Sequence, residues 1–143
     1  WNNTSMSGSA SVVRNEARDR YPLDRNWGAG SPVPGVINVD NFSARWIGSF
    51  QFDPGDYLFT ADSDDGVRVY IDGQRVIDDW SDGQRRTQNT FHGVGGGQHQ
   101  IAVEYYEQTG NASVRVYWQK TSGGGSSGGG GGDGSGPGGG LDE

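Results

Sequence analysis

Polar and apolar residues alternate strictly along residues 42–52 of this chain. One phase of the alternation is apolar apart from a glycine, and it consists of Phe42, Ala44, Trp46, Gly48, Phe50 and Phe52. The opposite phase is mostly polar and includes Ser43, Arg45, Ser49 and Gln51. Because successive side chains of a strand point to opposite faces, this pattern predicts a strand that is buried on one side.

Shorter runs of the same kind follow. The further strand candidates are Tyr57–Ala61, Val67–Ile71, Thr87–Val94, His99–Tyr105 and Ala112–Trp118. They are separated by the turn signals Asp53-Pro54-Gly55-Asp56, Asp72-Gly73 and Gly95-Gly96-Gly97. The sequence shows no helical period of useful length. We therefore predict an all-β fold, an antiparallel β-sandwich or flattened barrel of jelly-roll-like form.

The two ends of the chain carry weaker patterns. Residues 1–35 are polar and irregular, with one short strand expected around Val12 and Val13. From Ser122 onward the chain is mostly glycine and serine, a composition that buries too little apolar surface to order itself. We expect a β-sandwich domain over residues 1–121 and a low-complexity tail or linker over residues 122–143.

Charge and composition narrow the possible functions. The formal net charge is −7, and the 11 basic residues are scattered, so no basic stripe exists that would neutralise the phosphates of a nucleic acid. The absence of cysteine excludes disulfides and thiolate metal sites. No window approaches the roughly 18 apolar residues of a membrane span. Because the chain starts at Trp1 without methionine, we expect an upstream segment to have been removed.

The segment Ser63-Asp64-Asp65-Gly66 places two adjacent carboxylates between two strand-like runs. A tip of this kind can hold a hard cation or contact a polar ligand. Adjacent side chains of an extended chain point to opposite faces, so the two carboxylates could share one ion only if the backbone between them were distorted. A plain β-turn without an ion is the alternative, because the same four residues suit one well.

Covalent catalysis has little support in the sequence. The two histidines, His92 and His99, are not in a metal-ligand spacing and are not near a nucleophile motif. A glycosidase needs two carboxylates facing each other across a cleft, and the sequence indicates no such cleft. We therefore expect a protein that is not an enzyme.

A set of ordered motifs resembles a known module. The matching segments are Asn26–Gly28, Phe42–Gly48, Gly55–Phe59, Ser63–Gly73, Val76–Trp80, His99–Glu107 and Gly110–Ala112. Over residues 2–119 the chain resembles the anthrax protective-antigen domain, called PA-fourteen, which occurs in bacterial glycosidases, toxins and yeast adhesins. Members of that family usually begin with a further strand, so the resemblance implies that this strand is cut short or supplied elsewhere.

The resemblance also implies a calcium site. In the adhesin branch the paired aspartates chelate calcium through a cis peptide, and a second loop and sugar hydroxyls complete the shell. Carried over by position, the metal ligands are Asp64 and Asp65, with Glu107 and Asn111 as candidates in the second loop. A glutamate at position 107, where the adhesins have asparagine, adds negative charge and could block the place that a sugar needs. The expected ligand-binding residues are Trp80, Tyr106 and Gln108.

Two functions follow from these observations. The first is a noncatalytic carbohydrate-binding or adhesion module, secreted or at the cell surface, with calcium as its cofactor and a glycan as its partner. The second is a structural subunit of a self-assembling extracellular filament or surface layer, joined by strand or tail exchange. An open sheet edge that another chain could complete, a low lysine content and a high glycine content favour the second.

Overall fold

The computed structural model describes residues 1–13, 15–16, 23–123 and 141–142 of the chain. These residues form ten strands. The strands are β1 (Asn15–Glu16), β2 (Leu23–Gly28), β3 (Phe42–Phe52), β4 (Gly55–Asp64), β5 (Gly66–Ile71), β6 (Gln74–Asp79), β7 (Arg85–Val94), β8 (Gly97–Glu107), β9 (Ala112–Gly123) and β10 (Leu141–Asp142).

The strands form two antiparallel sheets. Sheet A has the order β1-β10-β3-β8-β5-β6, and sheet B has the order β2-β9-β4-β7. The prediction of an all-β antiparallel sandwich is confirmed. The described part of the chain contains no helix with the length and apolar character of a membrane span.

The core lies between the sheets and is built from the apolar phases of the strands. On β3 the whole apolar phase except Gly48 is buried, as the alternation predicted. Trp46 and Trp118 are both buried there. The ring of Phe52 stacks on that of Trp118, with centroids 5.5 Å apart. Packed aromatic pairs of this kind add to the stabilisation that burial of their area gives.

The hairpin between β5 and β6 confirms the turn signal Asp72-Gly73. Asp72 has φ 49° and Gly73 has φ 83°, the positive values that the favoured two-residue hairpin turn requires. On β5, Val67, Val69 and Ile71 are buried, whereas Arg68 and Tyr70 lie on the outer face.

A buried carboxylate organises the outer face of sheet A. Glu104 of β8 binds the guanidinium groups of Arg45 on β3, at 2.8 Å, and of Arg68 on β5, at 3.1 Å. The hydroxyl of Tyr70 donates a third hydrogen bond to it, at 3.1 Å. These contacts hold Arg68 in place beside Trp80.

The N-terminal region differs from the expectation. Val12 and Val13 lie outside the strands, whereas Leu23–Gly28 forms β2 and pairs with β9. The alternation of β2 rests on Leu23 and Trp27 alone, so the sequence signal was weak, and pairing with β9 supplies the stabilisation. Most of the predicted tail, residues 124–140 and residue 143, lies outside the described residues; β9 continues to Gly123.

Candidate metal centre

The acidic pair lies where the chain passes from one sheet to the other. Strand β4 of sheet B ends at Asp64, and β5 of sheet A begins at Gly66. Asp65 therefore lies at the rim of the sandwich, between the two layers. The peptide bond between Asp64 and Asp65 is cis, as the resemblance implied.

Three carboxylates meet at this rim. One carboxylate oxygen from each of Asp64, Asp65 and Glu107 lies within 4.8 Å of the others. Glu107 is the last residue of β8, and its neighbour Tyr106 pairs with Gly66 of β5, so the sheet register brings Glu107 beside the acidic pair. Asp65 is 4% exposed, Glu107 is 0% exposed and Asp64 is half-buried. The centre therefore opens to solvent on the side of Asp64.

Asp65 joins two loops to the centre. Its Oδ1 accepts a hydrogen bond from the backbone N–H of Gly83, at 2.7 Å, and its Oδ2 accepts one from the N–H of Gln108, at 2.8 Å. Gly83 belongs to the loop between β6 and β7, and Gln108 to the loop between β8 and β9. Hydrogen bonds to an ionised acceptor are stronger than neutral ones, so this side chain fixes both loops.

Glu107 is buried without a partner of its own. Among the described residues, neither of its carboxylate oxygens has a hydrogen-bond partner. Burial raises the pKa of Glu107 to about 8, and the carboxylates of Asp65 and Asp64 add to the shift. Burial and the charge of Asp65 also raise the pKa of Asp64. A buried carboxylate without a hydrogen-bond partner is energetically unfavourable. A divalent cation would pair with the Glu107 carboxylate, so the residues present fit a metal ion.

Two tyrosines on β8 donate hydrogen bonds close to the centre. The hydroxyl of Tyr105 donates a hydrogen bond to the carbonyl oxygen of Asp64. The hydroxyl of Tyr106 donates one to Oδ1 of Asp82, at 2.6 Å. Burial raises the pKa of both tyrosines, so both keep their protons at neutral pH and remain donors.

Tyr106, one of the expected ligand-binding residues, is buried. Tyr106 is 6% exposed, because the residues that follow β6 fold over it. The ring of Trp80 lies 4.7 Å from that of Tyr106, centroid to centroid, and the guanidinium carbon of Arg68 lies 3.7 Å from the Trp80 centroid. Trp80 is half-buried, and the guanidinium already covers part of its ring.

The remaining predicted site residues lie in the second loop. Gln108 is exposed, and it contacts the centre through its backbone N–H. Asn111 is exposed just before β9. The structure thus brings Asp64, Asp65 and Glu107 together in one cluster of carboxylates. Sequence reasoning missed Gly83 and Tyr105, because a backbone donor and a hydroxyl on the buried phase of a strand leave no motif.

Replacing Glu107 by glutamine should have opposite effects with and without calcium. The unfolded chain releases the Glu107 proton near its ordinary pKa of 4.5, whereas the folded, metal-free chain keeps that proton until about pH 8. Stability of the metal-free protein therefore falls as pH rises through this interval. In chelator at pH 8, Glu107→Gln should be more stable than the wild type by about 1–3 kcal/mol.

The two proteins should have equal stability well below pH 4.5, where Glu107 is protonated in both the folded and the unfolded state. If the cluster holds calcium, added calcium should reverse the order at pH 8, because the amide lacks the charge that would bind the ion. Thermal melts at both pH values, each in chelator and in calcium, measure all four cases. A variant less stable than the wild type in chelator at pH 8 would refute the electrostatic argument.

Comparison with known proteins identifies the family of the chain. The profile of the PA14 domain matches residues 1–129 of the chain. Anti-sigma-I factor RsgI3 from Acetivibrio thermocellus is 33% identical over 103 residues, which is 70% of this chain and 16% of that protein. The chain thus spans about a sixth of the length of this relative.

Two solved structures are also similar to the chain. An anti-sigma factor domain-containing protein from Clostridium clariflavum is 27% identical, with a TM-score of 0.74, and the match covers 85% of this chain and 40% of that chain. A PA14 sugar-binding domain from an RTX adhesin is 21% identical, with a TM-score of 0.50 and 71% of each chain covered. The second likeness shows the fold alone.

Proposed function

The chain belongs to the PA14 domain family, and from this premise we propose that it is a noncatalytic carbohydrate-binding module with a calcium-dependent glycan site. The observation that carries the proposal is the cluster of Asp64, Asp65 and Glu107, in which the buried Glu107 carboxylate has no partner among the described residues. In this proposal the module acts outside the cell or at its surface.

Calcium suits the donor set. It prefers six to eight oxygen ligands and accepts carboxylates with one or two oxygens each. The three side chains of the cluster supply carboxylate oxygens only, without sulfur or imidazole, which favours a hard cation. Two buried and one half-buried carboxylate leave the remaining positions on the Asp64 side, where hydroxyl groups of a sugar or water molecules would complete the shell.

The arrangement does not suit hydrolysis. A glycosidase must bring one carboxyl to the leaving oxygen and a second to the anomeric carbon or to water. Asp65 and Glu107 are almost fully buried, and both oxygens of Asp65 already accept backbone hydrogen bonds. They can hold an ion from within the protein, but they cannot reach both sides of a glycosidic bond. The site therefore supports binding.

The residues next to the solvent-exposed side of the centre would determine which sugar binds. Trp80 is half-buried beside the centre and is fixed by Arg68 and Tyr106. Stacking of a sugar on a tryptophan needs an open ring face, and Arg68 covers one face of Trp80, so the contact would use the other face or the ring edge. The side chain of Gln108 is exposed, while its backbone is held by Asp65, which makes it a suitable donor to a hydroxyl.

Similarity to anti-sigma factors favours a wider role for the module. The chain shares 33% identity with anti-sigma-I factor RsgI3 over 103 residues. In a longer protein of that kind, a glycan-binding domain would be the sensing part, and its occupancy would control a sigma factor. Transcription of the dependent genes, measured with a glycan ligand present and with the acidic pair replaced, distinguishes sensing from simple adhesion.

A glycan array in calcium and in chelator tests the binding function directly. We expect saturable binding to at least one glycan class, lost in chelator and lost when Asp64 and Asp65 are both replaced by alanine. Asp62→Ala is the matched control, since Asp62 precedes the pair and forms an exposed ion pair with Arg86. An array without hits in either condition, from protein shown to be folded, would contradict the proposal.

A further inference from the structure

His99 lies near the start of β8, and both of its ring nitrogens contact hydrogen-bond acceptors. Its Nδ1 lies 2.5 Å from Oδ2 of Asp72, and its Nε2 lies 2.6 Å from the backbone oxygen of Gly95. Asp72 belongs to the hairpin turn between β5 and β6, and Gly95 lies in the turn between β7 and β8. The ring therefore connects two turns that are separate in sequence.

The partners of the His99 ring require a proton on each nitrogen. A backbone oxygen only accepts hydrogen bonds, so Nε2 carries a proton. Burial alone would raise the pKa of Asp72, but hydrogen bonds from His99 and from the Gln100 N–H outweigh it and lower that pKa. Asp72 is therefore ionised at neutral pH and also only accepts, so Nδ1 carries the second proton. Because a neutral ring donates from one nitrogen only, His99 is an imidazolium.

The other groups around the His99 ring are uncharged. β3 contributes Phe50 and Phe52, and the Phe52 ring stands perpendicular to that of His99, with centroids 5.4 Å apart. β6 contributes Gln74, and β7 contributes Phe91. The one charge that acts on the ring among the described residues is that of the hairpin carboxylate.

The protonated state of His99 is favoured although the side chain is only 17% exposed. Burial alone would lower the pKa of His99, but the hydrogen bonds to Asp72 and Gly95 and the charge of Asp72 outweigh it and raise the pKa. Asp72 is 50% exposed, so solvent screens part of this attraction. The two hydrogen bonds of the ring, together called the His99 clamp, therefore depend on the imidazolium.

The clamped turns close one end of the sandwich. The Asp72 N–H donates a further hydrogen bond to the backbone oxygen of Gln100, at 2.8 Å, so Asp72 attaches the hairpin to β8 through its backbone and its side chain. A cavity beside these contacts is lined by side chains that include Ile71 of β5 and Val94 of β7. Both belong to the core, so separation of the turns would expose core residues to solvent.

We propose that the His99 clamp is a pH-sensitive device that holds the β5–β6 hairpin against the β7–β8 turn and opens this end of the sandwich when the ring loses a proton. A neutral ring presents a lone pair to one of the two oxygen atoms, and that contact becomes repulsive. The clamp lies at the far end of β8 from Glu107, and from residue 99 to residue 107 the strand rises roughly 27 Å. The proposal therefore does not depend on calcium or glycan binding.

The sign of the pH dependence follows from the two partners. The pKa of His99 is raised above its ordinary 6.5, so the stabilisation by the clamp is complete below pH 6.5 and is lost as pH rises through the folded pKa. The pKa of Asp72 is lowered from 3.8, so its contribution is present above pH 3.8 and is lost as pH falls through the folded value. The clamp is therefore complete between pH 3.8 and 6.5.

NMR of the His99 ring nitrogens in the full chain tests the charge of the ring. At pH 6 we expect both nitrogens to carry protons. Asp72→Asn removes the carboxylate charge and keeps a residue type that tolerates the φ of 49°, so it should lower the midpoint of the His99 titration by about one pH unit or more. His92→Gln is the matched control, since the His92 side chain is 77% exposed, and it should leave that midpoint unchanged. A single protonated nitrogen at pH 6, or an unchanged midpoint in Asp72→Asn, would overturn the proposal.

Hydrogen exchange measures the opening itself. The Gln100 N–H donates to Asp72, and the Asp72 N–H donates to Gln100, so both amides report on the contact between the hairpin and β8. After correction for the intrinsic rise of exchange with pH, their protection should fall as His99 loses its proton. The expected fall is about tenfold for each unit by which the midpoint exceeds 6.5. In His99→Gln the protection should not follow this titration. Protection that stays constant through the wild-type titration would show that the turns do not separate and would overturn the inference.

Discussion

Replacing Asp65 by asparagine is expected to weaken calcium binding by about 100-fold or more. Loss of a residue that only supports a metal ligand typically costs 10–100-fold in affinity, and Asp65 is itself a proposed ligand. Its two oxygens also hold the Gly83 and Gln108 N–H groups. Because an amide has only one oxygen, one of these buried donors would face an NH2 group and lose its partner.

The same substitution should destabilise the protein even without calcium. A hydrogen bond to a charged group contributes about 1.5–3 kcal/mol, and an unpaired buried donor adds a penalty, so we expect a loss of about 3 kcal/mol. Titration calorimetry gives the affinity, and denaturation in chelator gives the stability. Asp62→Asn is the control, and it should change stability little, because solvent screens the exposed ion pair of Asp62 with Arg86. Unchanged affinity in Asp65→Asn would exclude this residue as a ligand.

Replacing Gly66 by alanine is expected to disrupt the centre through packing alone. A Cβ atom at this position would lie 2.2 Å from Cε1 and 2.7 Å from Cδ1 of Tyr106, and 3.1 Å from the backbone nitrogen of Ser81. The ring of Tyr106 is buried under Trp80, so it has little room to move. A shift of the ring would break its hydrogen bond to Asp82.

Overpacking typically costs about 1–3 kcal/mol, and the lost hydrogen bond to a carboxylate adds to it. We expect a total near 3 kcal/mol in denaturant unfolding, together with weaker calcium binding, because Gly66 directly follows Asp65. Gly95→Ala is the matched control, since a Cβ at Gly95 meets nothing within 4 Å. A stability loss of less than about 0.5 kcal/mol for Gly66→Ala would show that Tyr106 relaxes freely and would remove it from the support of the site.

The sequence predicted the strands whose periodicity is local. The alternation over residues 42–52 predicted β3 and its buried face, and Asp72-Gly73 predicted the hairpin between β5 and β6. Strand β2 was not predicted, because its stabilisation comes from pairing with β9, some ninety positions later in the chain. Local patterns carry no information about such a partner.

The candidate centre was predictable only in part, because local patterns indicate some of its residues and not the contacts between distant segments. Adjacent aspartates and a family likeness indicated Asp64, Asp65 and Glu107, and the structure brings these three together. The burial of Tyr106 could not be read from strand phase, since it depends on the path of the residues after β6. The hydrogen bonds that fix Asp65 come from backbone N–H groups of two loops, and any residue except proline supplies such a donor.

A crystal structure of the protein grown with calcium tests the central claim most directly. The account predicts one strong peak of density at the rim, about 2.3–2.6 Å from carboxylate oxygens of Asp64, Asp65 and Glu107, with an anomalous signal that identifies the element. A peak elsewhere, or no peak at this cluster at millimolar calcium with the Glu107 carboxylate still lacking a partner, would contradict it.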